Sequence, residues 1–382
     1  MTDTALLFAR YFEPAFRGGG PIQTLTALLR SLPASIEAAV ICSNEDLGDR
    51  TPVVDTPDEW VQRDFSRARY CTPGLKPFLR ALRSSRDLDP DIVYVNSFFD
   101  VMYSLVPQLA ARIGFWRRAA VVLAPRGELY AGAIRLKSGR KRAFIGVYKA
   151  LGLHRRVIWH ASTSDEAESI KAVFGERVRI ETKENETSLP VSASPRPERE
   201  AGPLRLVFAS RAAAKKGLLT LLEGVEAASV EVDLEVIGAF EDPEYQAACE
   251  AVISRLTESV GVTLRGALPR EELISRLERA DLMALPTRGE NFGHVIAEAL
   301  SVGCPVMCSA ETPWTSRLAL GGGVVVDPNT ASAWATAIAE LAAETPADWE
   351  RRAEGAAQCY EAWRGEDKGA HIFERALERR AT

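Results

Sequence analysis

No segment of this chain comes near the run of about 18 consecutive apolar residues that a membrane-spanning helix needs. The opening Met1-Thr2-Asp3-Thr4 carries no basic residue, and the apolar run at 5–9 is shorter than a signal-peptide core. These absences give the expectation of a cytoplasmic protein. Cysteine is scarce. The six residues, at 42, 71, 249, 304, 308 and 359, form no Cys-x-x-Cys pair, and no histidine stands at zinc-ligand spacing from them. They read as small buried hydrophobes in a reducing compartment. No short-period repeat and no long low-complexity segment is present.

What is there is ordinary in bulk and uneven in charge. The chain has 382 residues, 46% of them hydrophobic and 26% charged, which suits a soluble protein of two domains of about 190 residues each. The net charge is −5, yet residues 1–190 hold 27 Lys and Arg against 22 Asp and Glu, while the remainder holds 20 against 30. A basic N-terminal half suits an anionic partner, a membrane surface or a phosphate-bearing acceptor, although domains also differ in charge by chance.

Short apolar runs alternate with helical patterns along the whole chain. The expected strands of the first half are 6–8, 38–42, 92–96, 121–124 and 157–161, and those of the second half are 204–209, 232–237, 262–265, 282–285, 305–308 and 323–327. Helical patterns fall between them, so each half is expected to be a parallel sheet covered on both faces. The polar, proline-rich stretch after Glu184 reads as a connection. The expected organisation is α/β: an N-terminal Rossmann-like acceptor domain at 1–187, a linker at 188–203, a C-terminal Rossmann-like donor domain at 204–364, and a last helix at 365–382 crossing back to the first domain. The two sheets are expected to face each other across a cleft.

Chemistry concentrates in three loops that follow strands. Phe208-Ala209-Ser210-Arg211-Ala212-Ala213-Ala214-Lys215-Lys216-Gly217 places Arg211 and Lys216 five apart in one loop, where both cations reach a single diphosphate. Arg288-Gly289-Glu290-Asn291-Phe292-Gly293-His294-Val295-Ile296-Ala297-Glu298 puts two carboxylates on either side of a helix start. The helix start takes phosphate, the carboxylates take hydroxyl groups, and His294 and Glu298 share a helix face. Arg17-Gly18-Gly19-Gly20-Pro21 makes a flexible nest feeding a helix, suited to an anion or a reacting sugar.

The first two loops together, with Ser301-Val302-Gly303-Cys304-Pro305-Val306 behind them, resemble the R-x4-K-G and E-x7-E motifs of retaining GT-B glycosyltransferases of family 4. The resemblance extends over nearly the whole chain. It implies a hexosyltransferase-type enzyme that moves a sugar from a UDP- or GDP-linked donor to a hydroxyl of a glycan or lipid-linked acceptor, with retention and without a metal or other cofactor. Cell-surface polysaccharide or glycoconjugate assembly is the implied setting. By resemblance Arg211, Lys216 and Glu290 are catalytic. Gly19, Gly20, Gly238, Asn291, Phe292, Gly293, His294 and Glu298 then bind the donor, with Glu290 on sugar hydroxyls and Glu298 on the ribose. Many relatives carry a His-Gly pair where this chain has Arg126-Gly127, which puts that histidine's task in doubt. Arg126, Glu128 and His160 are assigned to the acceptor side, where Arg126 binds phosphate and Glu128 approaches the acceptor hydroxyl, or both form structural ion pairs.

Six cations at 135, 137, 140, 141, 142 and 149 share one stretch with Phe144, Ile145, Val147 and Tyr148, and no acid interrupts them. This basic amphipathic pattern gives the expectation of peripheral contact with anionic lipid on the inner face of the plasma membrane. Asp87-Leu88-Asp89-Pro90-Asp91 has the Asp-x-Asp form of metal-dependent transferases, but it sits in a turn before a strand, and no metal is expected there. Nucleic acid is not an expected partner. A sugar-nucleotide epimerase on the same fold and a non-enzymatic nucleotide-sugar or lipid-binding subunit stay open as alternatives.

Overall fold

The computed structural model describes residues 2–117, 119–135, 138–367 and 369–381. The chain forms two compact units, one comprising Met1–Ser188 and Lys368–Thr382, the other Leu189–Asp367. In the first unit the strands are β1 (Asp3–Phe8), β2 (Ile36–Ser43), β3 (Trp60–Gln62), β4 (Arg67–Cys71), β5 (Ile92–Val95), β6 (Ala120–Leu123), β7 (Ile158–Ala161) and β8 (Arg179–Thr182). They form one sheet in the order β3-β4-β2-β1-β5-β6-β7-β8, parallel except where β3 runs against β4. In the second unit the strands are β9 (Leu204–Ala209), β10 (Val232–Ile237), β11 (Val260–Gly266), β12 (Leu282–Leu285), β13 (Val306–Ser309) and β14 (Gly323–Val326). Their order is β11-β10-β9-β12-β13-β14, and every pairing is parallel.

Each strand order reverses beside its first strand, between β1 and β5 in one sheet and between β9 and β12 in the other. A crevice opens at such a switch point because the helices on the two sides leave in opposite directions. The loops after β9 and β12 are the two that carry Arg211, Lys216 and Glu290, so topology alone brings them together.

The inner strands of both sheets are buried on both faces, which explains their near-continuous apolar runs. In β1, Leu6 and Phe8 enter one core with Val93 and Val95, while Ala5 and Leu7 enter the opposite core with Ile92 and Tyr94. The C-terminal helix Ile372–Ala381 closes that second core with Ile372, Phe373 and Ala376, all fully buried. Three strands escape the sequence pattern. In β4, Arg67 and Arg69 alternate with buried Ala68, Tyr70 and Cys71, so its charge masks its role; β3 is three residues long, and β8 is a polar edge.

The units divide between Ser188 and Leu189, and the stretch expected to be a linker, without helix or strand, is tied to the second unit at several points. Leu189 joins the second core, the Pro190 carbonyl accepts from Tyr360 Oη at 2.5 Å, Ser194 N–H donates to the Ser301 carbonyl at 2.8 Å, and Arg196 Nη1 donates to the Leu277 carbonyl at 3.2 Å. Prolines and charges made it look loose, yet its backbone polar groups are tied to neighbouring elements.

The Phe373 ring meets Tyr94 edge-on at 5.5 Å. Phe373→Ala is expected to cost about 3–5 kcal/mol of stability. Urea unfolding followed by tryptophan fluorescence checks this; a loss below about 1 kcal/mol would show that the terminal helix does not close the core.

Candidate functional site

Two backbone approaches shape the second unit's site. Gly217, at φ 76°, ends the loop after β9 and starts the helix Leu218–Ala228. A Cβ there would stand 2.0 Å from the Pro286 carbonyl oxygen. Gly238, at φ 146°, lies as close to the neighbouring turn, since a Cβ would stand 1.9 Å from the Ser210 carbonyl oxygen. No L-residue fits either position without moving backbone. The Arg288 N–H then donates to the Lys215 carbonyl at 2.7 Å, which laces the loops after β9 and β12 together.

That lacing brings Lys216 Nζ to 2.5 Å from Glu290 Oε2, with both side chains about 85% covered (14% and 15% exposed). Arg211 turns elsewhere. Its guanidinium pairs with Glu241, and both groups are about half exposed. Arg211 and Lys216 thus stand in two separate ion pairs, Glu241 after the Gly238 turn taking the guanidinium.

The loop from Pro286 to Gly293 is held from below. Asn329 Nδ2 donates to the carbonyls of Pro286 and Thr287, both at 3.1 Å, and Trp334 Nε1 orients that amide through its Oδ1 at 2.8 Å. Ser309 Oγ donates to the Thr287 carbonyl at 2.5 Å, and the Glu290 N–H donates to the Glu311 carbonyl at 3.0 Å. Trp314 Nε1 donates to the Phe292 carbonyl at 2.6 Å. Phe292 itself is buried among Trp314 and Trp363, whose rings lie 4.9 Å apart. Asn329, Ser309 and Trp314 are supports of this loop that motif reading missed; only the polarity of Asn329 beside an apolar helix hinted at one.

Gly293, at φ 83°, caps the helix His294–Ser301, and no side chain caps it in turn. An uncapped helix start beside a lysine favours negative charge. Asn291 and His294 are half-buried, and the His294 ring packs 4.7 Å from Phe292. Glu298 is 2% exposed and accepts from Arg270 Nε at 3.0 Å, so a resident cation fixes the carboxylate assigned to the ribose.

In the first unit, the glycine loop is anchored by Asp46, which accepts from the N–H groups of Phe16 at 2.8 Å and Arg17 at 3.0 Å. Gly19, at φ 65°, caps the helix Gly20–Arg30, again without a side-chain cap, and Gly20 is its first residue. Arg126 follows β6 in a positive-φ conformation. It donates through Nε to Asn96 Oδ1 at 2.8 Å, through Nη1 to Asn185 Oδ1, and through Nη2 to Tyr94 Oη at 2.5 Å. Tyr94 then donates to His160 Nδ1 at 3.0 Å, which leaves Nε2–H to donate to the Lys183 carbonyl at 3.0 Å. Glu128 is occupied: its carboxylate accepts from Ser97 Oγ at 2.9 Å and from the N–H groups of Phe98 at 2.6 Å and Phe99 at 3.0 Å. Burial pushes its pKa up against the pull of those donors and Lys141. Its expected approach to an acceptor hydroxyl gives way to holding the loop after β5.

Of the six cations near 140, Lys137 lies outside the described residues. Arg140, Arg142 and Lys149 are exposed, while Lys141 turns in to the Ala133 carbonyl at 2.6 Å and over the Phe99 ring. Among the described residues no cluster of three or more His, Cys, Asp or Glu is placed to hold a metal ion. Asp91 instead accepts from the Thr4 N–H at 3.1 Å and from Arg380 at 2.8 Å.

Residues 193–357 match the family described as glycosyl transferases group 1. A D-inositol 3-phosphate glycosyltransferase of Mycolicibacterium smegmatis is 37% identical over 110 residues, 27% of this chain and 25% of that protein. Its counterpart in Xylanimonas cellulosilytica is 32% identical over 141 residues, 36% of this chain and 34% of that protein. The matches thus span about a quarter to a third of these relatives' length. Over the whole chain the fold is that of Anabaena HepE, solved in complex with UDP and glucose, with a TM-score of 0.71 at 16% identity over 99% of this chain and 98% of that one. WaaG, a glycosyltransferase involved in lipopolysaccharide biosynthesis, gives 0.63 at 15% identity, covering 98% of each chain. The architecture is therefore GT-B.

Three histidines of the first unit resist protonation, chiefly through burial: His154 with Arg155 and Lys149 near it, His160 with Arg126 near it, and His371, where Glu186 partly opposes the effect. Their folded pKa values lie below the unfolded value of about 6.5, so the unfolded chain binds more protons. The stability they contribute is present above pH ~6.5 and is lost as pH falls below it, by at most about 1.4 kcal/mol per pH unit for each group. Thermal unfolding between pH 7.5 and 5.5 is expected to show this loss, with a shallower slope in His160→Gln. Equal slopes would mean that His160 titrates freely in the folded chain.

Proposed function

We propose that the chain is a group 1 glycosyltransferase of family 4 that transfers a hexose with retention, and without a metal, from a UDP- or GDP-sugar to a hydroxyl of a glycan or lipid-linked acceptor. The observation that carries this reading is the Lys216–Glu290 pair at 2.5 Å, held at the switch point beside the uncapped start of His294–Ser301. A lysine and a helix start favour a diphosphate; a carboxylate on the same spot favours sugar hydroxyls. The match of residues 193–357 to the glycosyl transferases group 1 family supports the assignment.

In this mechanism the diphosphate displaces Glu290 from Lys216 and takes the lysine charge, with Arg211 swinging from Glu241 to join it. Glu290, released, accepts from hydroxyls of the donor sugar. Asn291, Phe292, Gly293 and His294 present the helix start to the phosphates, Gly238 leaves room for the nucleotide, and Glu298, fixed by Arg270, holds the ribose. Negative charge grows on the diphosphate as the glycosidic bond breaks, and the preorganised cations stabilise it there. The acceptor hydroxyl attacks from the same face and passes its proton to the departing phosphate oxygen. Gly19 and Gly20 keep the donor-binding role that the resemblance implies, and Arg126 serves the acceptor, with His160, buried and bonded to Tyr94 and the Lys183 carbonyl, acting only as its support.

The setting proposed is cell-surface polysaccharide or glycoconjugate assembly from the cytoplasmic side, with peripheral attachment to anionic lipid. The outward face of the helix Ser138–Ala150 is bordered by exposed Arg140 and by Val147, which is 55% exposed, on one edge and by exposed Arg142 and Lys149 on the other. Such a face binds lipid through charge and a shallow apolar contact.

Lys216→Ala is expected to weaken UDP or GDP binding by about 10- to 100-fold, the loss of a charged hydrogen bond, as read by isothermal titration. Unchanged affinity for both nucleotides would remove the phosphate site. Glu290→Gln is expected to keep nucleotide affinity within a few-fold but to lower turnover by about 100-fold or more. Proton NMR of the product's anomeric centre tests retention. Co-sedimentation with phosphatidylserine vesicles, and its loss in Arg140→Glu/Arg142→Glu, tests attachment; equal pelleting with neutral vesicles would refute the electrostatic reading.

A further inference from the structure

Several cations of the first unit meet a carboxylate. Lys183 has Glu186 at 2.8 Å, Arg17 has Asp49 at 3.2 Å, Arg10 has Glu45 at 3.4 Å, and Arg380 has Asp91 at 2.8 Å. Arg126 is the contrast. It is half-buried, and all three of its contacts are to uncharged oxygens, those of Asn96, Asn185 and Tyr94. The nearby acids are committed elsewhere. Glu128 takes Ser97 and two backbone N–H groups, and Glu166, 1% exposed, takes the Gly127 N–H and both the N–H and Oγ of Ser162. Tyr94 and His160 bring no compensating charge, since burial holds the phenol protonated and the imidazole neutral.

A guanidinium carries five N–H donors, so two of them remain beyond these three contacts. A cation drawn partly out of water without a counter-charge is destabilising. The backbone adds to this: Arg126 sits at φ 54°, a conformation that costs energy for a long side chain. Glu166 on the Gly127 N–H, and the Glu128 N–H on the Pro125 carbonyl at 3.1 Å, hold the loop in that shape. Three neutral props then fix the head group. Asn96 also donates to the Pro21 carbonyl at 3.2 Å, which ties the guanidinium to the first helix beside the glycine loop. A fixed guanidinium that touches no carboxylate and keeps two N–H donors, at the carboxyl end of a parallel strand, is suited to an anion.

We propose that Arg126 binds an oxyanion, a phosphate or a carboxylate, carried by the acceptor, and so selects acidic or phosphorylated acceptors over neutral ones. This rests on the glycosyltransferase reading for the word acceptor, but the anion site itself is a property of the first unit. The donor's diphosphate has its own cations in the second unit, Lys216 and Arg211. The charge of Arg126 is therefore left for the other substrate.

The decisive variant leaves Arg126 in place and neutralises it. Asn185→Asp puts a carboxylate on the atom that already accepts from Nη1, with no change of shape. Inorganic phosphate and acetate are titrated into a chain carrying Arg211→Ala and Lys216→Ala, so that the donor cations do not report. Phosphate, acetate or both are expected to raise the unfolding midpoint of that chain. Adding Asn185→Asp is expected to raise the midpoint without ligand and to weaken the anion response by about tenfold or more. Arg126→Gln is expected to abolish the response, and Arg126→Lys to leave a weaker one. No response in the starting chain, or a response that Asn185→Asp leaves intact, overturns the proposal. UDP is titrated separately into the chain with only Asn185→Asp. Unchanged UDP affinity is expected; a tenfold loss would assign the anion to the donor and overturn the acceptor reading. Failure of UDP to bind the wild type would count against the donor site and not against Arg126.

Discussion

Two carbonyl oxygens lie where glycine side chains would begin. Pro286 stands against Gly217 and Ser210 against Gly238, at separations that exclude even a methyl group. The first contact sets the distance between the loops after β9 and β12, on which the ion pair between Lys216 and Glu290 depends, and the second sets that between the loops after β9 and β10. An alanine at either glycine would push the loops apart by the width of a carbon atom. Ligand chemistry at a helix start tolerates little of that, because charged hydrogen bonds weaken steeply once donor and acceptor leave contact. The glycines therefore act as spacers, and the props below the loop, Asn329, Ser309 and Trp314, keep the spacing from relaxing.

The two units treat their charges differently. In the second unit the cations nearest the switch point are paired, Lys216 with Glu290 and Arg211 with Glu241. A pair of this kind holds both side chains in a defined place, and a ligand that offers better partners to each can exchange for the internal bond. In the first unit Arg126 is held only by neutral oxygens. Its charge needs no exchange before it meets an anion. The first arrangement suits a ligand that brings both phosphate and hydroxyl groups; the second suits one that brings negative charge alone.

Much of this was legible in the sequence, for a physical reason. Parallel strands buried on both faces are written as unbroken apolar runs, so Leu204–Ala209, Val232–Ile237 and Leu282–Leu285 stand out with their bounds intact. The loops that follow them carry glycines and charges at spacings that helices and strands seldom use. Strands at the sheet margin were hidden because an edge or a one-sided face admits arginine and glutamate, as in Arg67–Cys71 and Arg179–Thr182. In the connection after Glu184, where the units divide between Ser188 and Leu189, proline and charge hid only that Asn185 and Leu189 are buried, one in each unit.

The partners of a site residue are harder to read than the residue. Arg126 was visible as an arginine after a strand, but nothing in its neighbourhood along the chain shows that Asn96 lies 30 positions before it and Asn185 59 positions after. Whether a charge is neutralised depends on such distant side chains. Asparagine and aspartate differ by one atom and by a full unit of charge. A carboxylate at either asparagine would turn the same loop into a structural ion pair. The chemical meaning of Arg126 is thus fixed by two amides, and only the three-dimensional arrangement identifies them.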